Sequence, residues 1–130
     1  IKWPPEVVDS LPGICAAIFD IWSRLGAADY SNAGSCDKNG IRQPHSVQIF
    51  AVLNLLLGHF DSSKEEGQPT ILMNHLAQVL TGQGKSITLA VVATVFALFG
   101  YKVDVLCYNA TLSRRDFMDF QTLFKKSIWI

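Results

Sequence analysis

The chain has 130 residues, 49% of them hydrophobic, and eleven basic residues balance eleven acidic ones. This length suits a single domain with a buried core. The zero net charge excludes a bulk attraction to nucleic acid or to an anionic membrane, so no nucleic-acid partner is expected. The apolar content exceeds that of an average soluble domain and predicts surfaces that other protein covers, either the remainder of a larger polypeptide or other subunits.

No targeting or membrane segment is predicted. The longest apolar run, residues 87–99, is too short to cross a membrane, so we expect no transmembrane segment. The chain begins at Ile1 without the pattern of a signal peptide, which predicts a fragment or a processed chain and a cytoplasmic location. Cys15, Cys36 and Cys107 lack CxxC spacing, which is typical of structural thiols in a reducing compartment.

The first third of the chain predicts one helix followed by a loop. Asp9 or Ser10 is expected to cap this helix, Pro12 fits its first turn, and Gly26 is expected to end it. Between these residues, apolar side chains recur at helical spacing. Residues 29–44 are rich in Ser, Asn, Gly and Asp and predict a loop.

A second helix is predicted over residues 46–57, where Gly58 ends it. The polar residues 61–70 that follow predict an exposed surface loop. The helix expected after residue 84 is apolar nearly all round and therefore needs other protein against more than one of its sides.

The second half of the chain predicts a strand–helix–strand–helix unit. Strands are expected at residues 76–80 and 101–108, and helices from Lys85 to residue 99 and from Thr111 to about residue 126. This order implies a parallel sheet with a right-handed crossover, so we predict an α/β fold.

Between the first of these strands and its helix lies a sequence with the residue types of a phosphate-binding loop. Thr81, Gly82, Gln83, Gly84, Lys85 and Ser86 follow one another. Glycines let backbone N–H groups curl around phosphate oxygens, and a helix N-terminus adds partial positive charge. A lysine reaches the terminal phosphates and a serine hydroxyl can bind Mg²⁺. The usual pattern has a further glycine at position 79, where this chain has Val79.

Three segments together resemble the SecA family, and in particular its DEAD-like domain. They are residues 43–48 (QPHSVQ), residues 81–86 (TGQGKS) and residues 108–116 (YNATLSRRD). The family places a Gln-containing motif before a Thr-Gly-x-Gly-Lys-Ser/Thr loop, and a segment ending in Arg-Asp after the next strand. The early loop glycine is characteristically absent there too. The resemblance covers about residues 42–126.

The resemblance implies a partial P-loop NTPase (RecA-like) parallel sheet with flanking helices, behind an all-helical N-terminal segment. It also implies ATP and Mg²⁺ as cofactors and a part in protein transport. The implied domains are a helical segment over residues 1–41 and an incomplete nucleotide-binding domain over residues 42–130.

The resemblance carries roles to individual residues. Gln48 would recognise adenine, because a side-chain amide can pair with the N6 and N7 edge of that base. Lys85 would bind the β- and γ-phosphates and Ser86 the Mg²⁺ ion, while Thr81, Gly82, Gln83 and Gly84 would complete the nucleotide site. Where the family usually has an acidic residue between the loop glycines, this chain has Gln83. Arg115 and Asp116 match a pair that is conformational and substrate-facing in the family.

Each assignment has a plainer interpretation. Gln48 is also what an amphipathic helix carries on its polar side, and an isolated Lys85 would be an ordinary surface cation. Arg114 and Arg115, with the lysines near the C-terminus, are typical of a solvated face, since no exposed aromatic residues interleave with them. The three histidines lack the spacing of zinc ligands.

Phosphoryl transfer also needs an acid that holds Mg²⁺ and places water. After the loop the acids are Asp104, which lies within a predicted strand, and Asp116 and Asp119, which lie in the last predicted helix. The catalytic residues therefore stay unassigned, and as a fragment the chain is not predicted to be a complete enzyme. Two hypotheses remain: the ATP-binding part of a SecA-like ATPase, or a degenerate, non-hydrolysing domain that serves as a structural or interaction module.

Overall fold

The structure is a computed structural model and describes residues 2–32, 42–58, 70–71 and 74–128. Within these ranges four helices form the molecule: α1 (Pro5–Asn32), α2 (Ser46–Leu57), α3 (Lys85–Leu98) and α4 (Ala110–Ile128). Two short strands, β1 (Lys2–Trp3) and β2 (Thr70–Ile71), pair antiparallel with Trp3 opposite Thr70. The described part of the chain is therefore mainly helical.

The predicted α/β fold with a RecA-like parallel sheet is wrong for the described residues. Neither residues 76–80 nor residues 101–108 form a strand, and the pairing of β1 with β2 is the one sheet among the described ranges. Apolar composition expresses a tendency to form a strand, but a strand also needs a neighbour that completes its backbone hydrogen bonds. Leu76 and Leu106 are 102% and 93% exposed, so in the part of the chain that the structure describes no neighbouring layer covers them.

Helix α1 is longer at both ends than predicted. It begins at Pro5, where the N–H groups of Val7 and Val8 both donate to the carbonyl of Pro4, so capping at Asp9 or Ser10 is wrong. Pro12 lies inside the helix and removes one intrahelical hydrogen bond. The helix continues because its inner face is buried through that turn, with both Leu11 and Cys15 in the core.

Gly26 does not end α1, which runs on to Asn32. A Cβ at Gly26 would lie 2.7 Å from Cδ of Arg42, so this glycine permits a close approach of the chain. The predicted loop over residues 29–44 is therefore wrong at residues 29–32, which are helical. Residues 33–41 lie outside the described residues.

The other three helices confirm the periodic patterns. Helix α2 ends at Gly58, whose φ of 67° lies in the left-handed region and whose N–H donates to the carbonyl of Asn54 at 3.1 Å. Helix α3 ends at Leu98, and Gly100 follows with φ of 81°. Helix α4 begins after Asn109, whose side-chain Oδ1 accepts the N–H of Leu112 at 2.9 Å.

The core is the space between the four helices, and α3 lies at its centre. Helix α3 packs against α1, α2 and α4, so helices of this same chain cover several of its sides, and the expected need for other protein there is not confirmed. Buried apolar side chains of this kind each stabilise the fold by about 1.5–3 kcal/mol relative to exposure. The core side chains are Leu11, Cys15, Ile18, Phe19, Val52, Leu56, Ile87, Ala90, Val91, Val95, Phe120 and Leu123.

Trp3 joins the N-terminus to this core. Its ring stacks on Phe96 with 5.6 Å between centroids, and its indole Nε1 donates to the carbonyl of Leu56 at 2.9 Å. That carbonyl belongs to the last turn of α2, where backbone acceptors lack helical partners. Trp3 therefore holds the last turn of α2 against the last turn of α3.

Candidate functional site

The loop of residues 81–86 forms a turn that leads directly into helix α3. The N–H of Gln83 donates to the carbonyl of Leu80 at 3.3 Å and closes the turn. Gly82 and Gly84 have φ values of 82° and 74°, in the left-handed region that favours glycine. Thr81 and Gly82 are exposed. A left-handed residue followed by helical residues makes a concave array of backbone N–H groups, which is a general geometry for binding anions.

Gln48 lies beside this loop, as the resemblance requires. It is the third residue of α2 and is 5% exposed. Its Nε2 donates to the carbonyl of Gln83 at 3.1 Å, and its Oε1 accepts the N–H of His45 at 3.0 Å. The amide therefore links the start of α2 to the loop across 35 residues of sequence. One N–H and one lone pair of the amide are not used by these two bonds.

The close approach of Gln48 depends on a glycine at position 84. A Cβ on Gly84 would overlap Nε2 of Gln48 and would also lie 3.2 Å from Cγ2 of Ile87. A Cβ on Gly82, in contrast, would meet nothing within 4 Å. The two glycines thus share a backbone conformation but differ in their surroundings.

Lys85 and Ser86 are the first two residues of α3. Lys85 is exposed, so its ammonium group can reach a ligand at the helix N-terminus. Ser86 is partly buried, and its Oγ donates to Oδ1 of Asp116 on α4 at 3.2 Å. The same Oδ1 accepts hydrogen bonds from Nε and Nη2 of Arg115 at 3.0 and 2.7 Å.

Arg115 and Asp116 form an ion pair beside Ser86. The side chain of Arg115 is 56% exposed and that of Asp116 is 23% exposed. The hydrogen bond to Asp116, together with the charge of its carboxylate, raises the pKa of the Arg115 guanidinium above its usual value. The carboxylate is thus fixed in position from two directions, by α3 through Ser86 and by its own helix through Arg115.

The residues fit a phosphate group with its Mg²⁺ ion. The first N–H groups of a 14-residue helix have no intrahelical acceptors and point at this site. Gly84 and Ser86 line a cavity of about 500 Å³ that lies between α1, α3 and α4. Among the described residues no group of three or more His, Cys, Asp or Glu side chains converges. A Mg²⁺ ion here would therefore be held as in other phosphate sites, by one hydroxyl together with phosphate oxygens and water.

Sequence reasoning placed Asp116 in the last helix but did not connect it with the loop. A signal was present: Asp116 lies four residues after Leu112 and four before Phe120. That spacing places a carboxylate on the inner face of a helix, and inner-face carboxylates are usually paired. What the pattern lacked was the partner, because only the packing of α4 on α3 brings Ser86 to it.

The chain belongs to the SecA DEAD-like domain family, since residues 34–127 match the model of that family. This confirms the resemblance described from the three segments. No solved structure matches the chain. Among the described residues, no helix combines the length and the apolar character that a membrane crossing requires.

Three relatives are protein translocase subunits. SecA 2 of Thermobifida fusca (strain YX) is 46% identical over 50 residues, which is 38% of this chain and 6% of that protein. SecA 3 of Magnetococcus marinus is 37% identical over 70 residues, or 54% of this chain and 10% of that protein. SecA 2 of Nitrosospira multiformis is 32% identical over 85 residues, or 61% of this chain and 13% of that protein. The chain thus spans a small fraction of the length of these relatives.

Proposed function

We propose that this chain is the ATP-binding part of a SecA-like P-loop ATPase domain within a larger polypeptide. Mg·ATP would bind with its phosphates at the N-terminus of α3, in the loop of residues 81–86. The observation that supports this most is that the two glycines with positive φ stand directly before a helix whose first residues are Lys85 and Ser86. Membership of the SecA DEAD-like domain family supports the same proposal.

The roles within this site follow from chemistry. The backbone N–H groups at Gly84 and Lys85 would donate to phosphate oxygens, and the Lys85 ammonium would neutralise part of their charge. The Ser86 hydroxyl would bind Mg²⁺, and the bound ion would neutralise the terminal phosphates. Gln48 as the residue that recognises adenine stays a prediction. Its observed bonds hold the loop against α2, and its unused N–H and lone pair are the groups that a base would engage.

The proposal does not include hydrolysis by residues 1–130. Asp116 is bonded to Ser86 and Arg115, and residues 87–130 contain no Asp-Glu pair. A part in protein transport, other subunits as partners and a cytoplasmic location likewise stay predictions. The same holds for the division into residues 1–41 and residues 42–130.

A second candidate function is that of a degenerate domain that does not hydrolyse ATP and serves as a structural or interaction module. Large apolar side chains in two segments without regular structure favour it, since such patches mark surfaces that bind other protein. The most exposed are Leu76, Leu80, Leu106 and Tyr108. The two candidates differ in Mg·ATP binding, which the first requires and the second does not.

Lys85→Ala tests the proposal. Removing the ammonium takes away a charge-assisted contact to phosphate, so we expect the affinity for a fluorescent ATP analogue with Mg²⁺ to fall at least ~100-fold. The measurement is fluorescence anisotropy on the full chain. Lys102→Ala is the matched control, because Lys102 is also an exposed lysine but lies outside the loop. Equal affinities of the wild type and Lys85→Ala would contradict the phosphate role.

A further inference from the structure

The contact between Ser86 and Asp116 lies in the proposed phosphate site but belongs to neither the loop nor the glutamine motif. Ser86 is the second residue of α3, and Asp116 lies 30 residues later on α4. The Oγ of Ser86 donates to Oδ1 of Asp116 at 3.2 Å. A loop residue with a proposed cofactor role is therefore held by a carboxylate from a different helix.

The direction of this hydrogen bond determines what the hydroxyl can do. A serine hydroxyl has one proton and two lone pairs. When the proton is donated to a carboxylate, both lone pairs are free and turned away from that carboxylate, as a cation ligand requires.

The carboxylate is itself oriented before any ligand binds. Arg115 donates two hydrogen bonds to the same oxygen that accepts from Ser86, so three hydrogen bonds meet at this carboxylate oxygen. Ser86 is partly buried and also lines the cavity of about 500 Å³ between α1, α3 and α4. Asp116 therefore presents a hydrogen-bonded carboxylate to the hydroxyl of Ser86, a residue that lines this cavity.

We propose that Asp116 is a positioning residue that orients the Ser86 hydroxyl for Mg²⁺. The proposal rests on the proposed function, in which Ser86 binds the Mg²⁺ ion of Mg·ATP. Asp116 acts through Ser86: its carboxylate accepts the hydroxyl proton and makes the oxygen a better ligand. Groups that hydrogen-bond to a metal ligand typically contribute about 10–100-fold to the affinity for the metal.

The test compares ATP binding by the full chain in Mg²⁺ and in EDTA. The ratio of the two dissociation constants, here called the magnesium gain, isolates the contribution of the ion from that of the phosphates. We expect Asp116→Ala and Ser86→Ala each to lower the magnesium gain about 10-fold or more, with the affinity in EDTA within about 2-fold of the wild type. The double variant should lose no more than Ser86→Ala, because the two residues act as one unit.

Two further variants separate positioning from a purely structural tie between α3 and α4. Asp116→Asn keeps the shape and a neutral acceptor, and neutral hydrogen bonds are weaker than charge-assisted ones. We expect an intermediate magnesium gain for it, with partial recovery in Asp116→Glu. Asp119→Ala is the matched control, since Asp119 lies on α4 and lines the same cavity but has no hydrogen bond to the loop among the described residues. Electron paramagnetic resonance of free Mn²⁺, with Mn²⁺ in place of Mg²⁺ and ADP present, should show the same order of affinities.

The outcomes distinguish failure of the proposed function, Mg·ATP binding at the loop, from failure of the positioning role of Asp116. If the wild type binds no ATP, or binds it equally with and without Mg²⁺, the proposed function fails and the role of Asp116 fails with it. If the wild type has a magnesium gain that Asp116→Ala keeps, the role of Asp116 alone is refuted. If Asp116→Ala does not fold, Asp116→Asn decides, and a magnesium gain equal to that of the wild type refutes the role.

Discussion

Replacing Gly84 by alanine perturbs the point at which α2 and the loop meet. Gly84 has φ of 74°, a conformation that costs an L-residue about 1–2 kcal/mol. The new Cβ would also overlap Nε2 of Gln48. Gln48 is 5% exposed and held by two hydrogen bonds, so its amide cannot move aside without losing them.

The left-handed backbone conformation and the overlap with Gln48 together determine how much the substitution lowers the free energy of unfolding. Displacing Gln48 breaks its hydrogen bond to the carbonyl of Gln83 and leaves buried polar atoms without partners, which costs about 1–3 kcal/mol. Together with the backbone term, we expect Gly84→Ala to lower the free energy of unfolding by about 2–5 kcal/mol. Gly82→Ala is the control, since Gly82 has φ of 82° but a Cβ added there meets no atom within 4 Å. It should lower the free energy of unfolding by about 1–2 kcal/mol.

The assay is urea unfolding followed by circular dichroism at 25 °C, with Gln48→Ala as a second background. In Gln48→Ala the overlap with the amide is removed and only the 3.2 Å contact with Cγ2 of Ile87 remains, so the additional effect of Gly84→Ala should fall toward the backbone cost of about 1–2 kcal/mol. Equal effects of the two glycine substitutions in the wild type would refute this reasoning. So would an effect of Gly84→Ala that is the same in both backgrounds.

Two further predictions concern the core. Trp3→Phe keeps an aromatic ring beside Phe96 but removes the donor to the carbonyl of Leu56. We therefore expect the free energy of unfolding to fall by about 1–2 kcal/mol in the same urea assay. An unchanged free energy of unfolding would show that this hydrogen bond contributes nothing to stability. Burial raises the pKa of Cys15 to about 11, whereas Cys107 is partly exposed. The rate of alkylation by iodoacetamide can be followed by peptide mass spectrometry. At pH 8 it should be much slower at Cys15 than at Cys107, and at Cys15 it should increase as the pH rises toward 11. Equal alkylation rates at pH 8 would be inconsistent with a buried Cys15 thiol.

The helices could be predicted wherever periodicity and end signals agreed. Residues 46–57 have a regular apolar pattern followed by Gly58, and α2 has these bounds. The start of α1 was missed because Pro4 and Pro5 compete with Asp9 and Ser10 as start signals, and the choice depends on what the first turn packs against. The end of α1 differs because Gly26, a residue type that favours a helix stop, instead lies where Arg42 approaches the helix closely.

Local composition predicts a parallel sheet that the described residues do not form. Residues 76–80 have the residue types of a strand, but a strand exists only with a neighbour, and none of the described residues supplies one. In the candidate site, one residue follows from the resemblance and one contact follows only from the fold. The resemblance assigns Gln48 to the nucleotide site, and the structure has its amide bonded to the loop, while its role in recognising adenine stays a prediction. The bond between Ser86 and Asp116 depends on how α4 packs against α3, which no local pattern specifies.

The most direct test of Mg·ATP binding at the N-terminus of α3 is a nuclear magnetic resonance titration of the uniformly ¹⁵N-labelled chain. Donation to phosphate changes the chemical shift of the donating N–H, so we predict that the largest changes on adding Mg·ATP fall on Gly84, Lys85 and Ser86. Lys85→Ala should suppress them. Changes that cluster elsewhere, or an unchanged spectrum at millimolar Mg·ATP, would contradict the account.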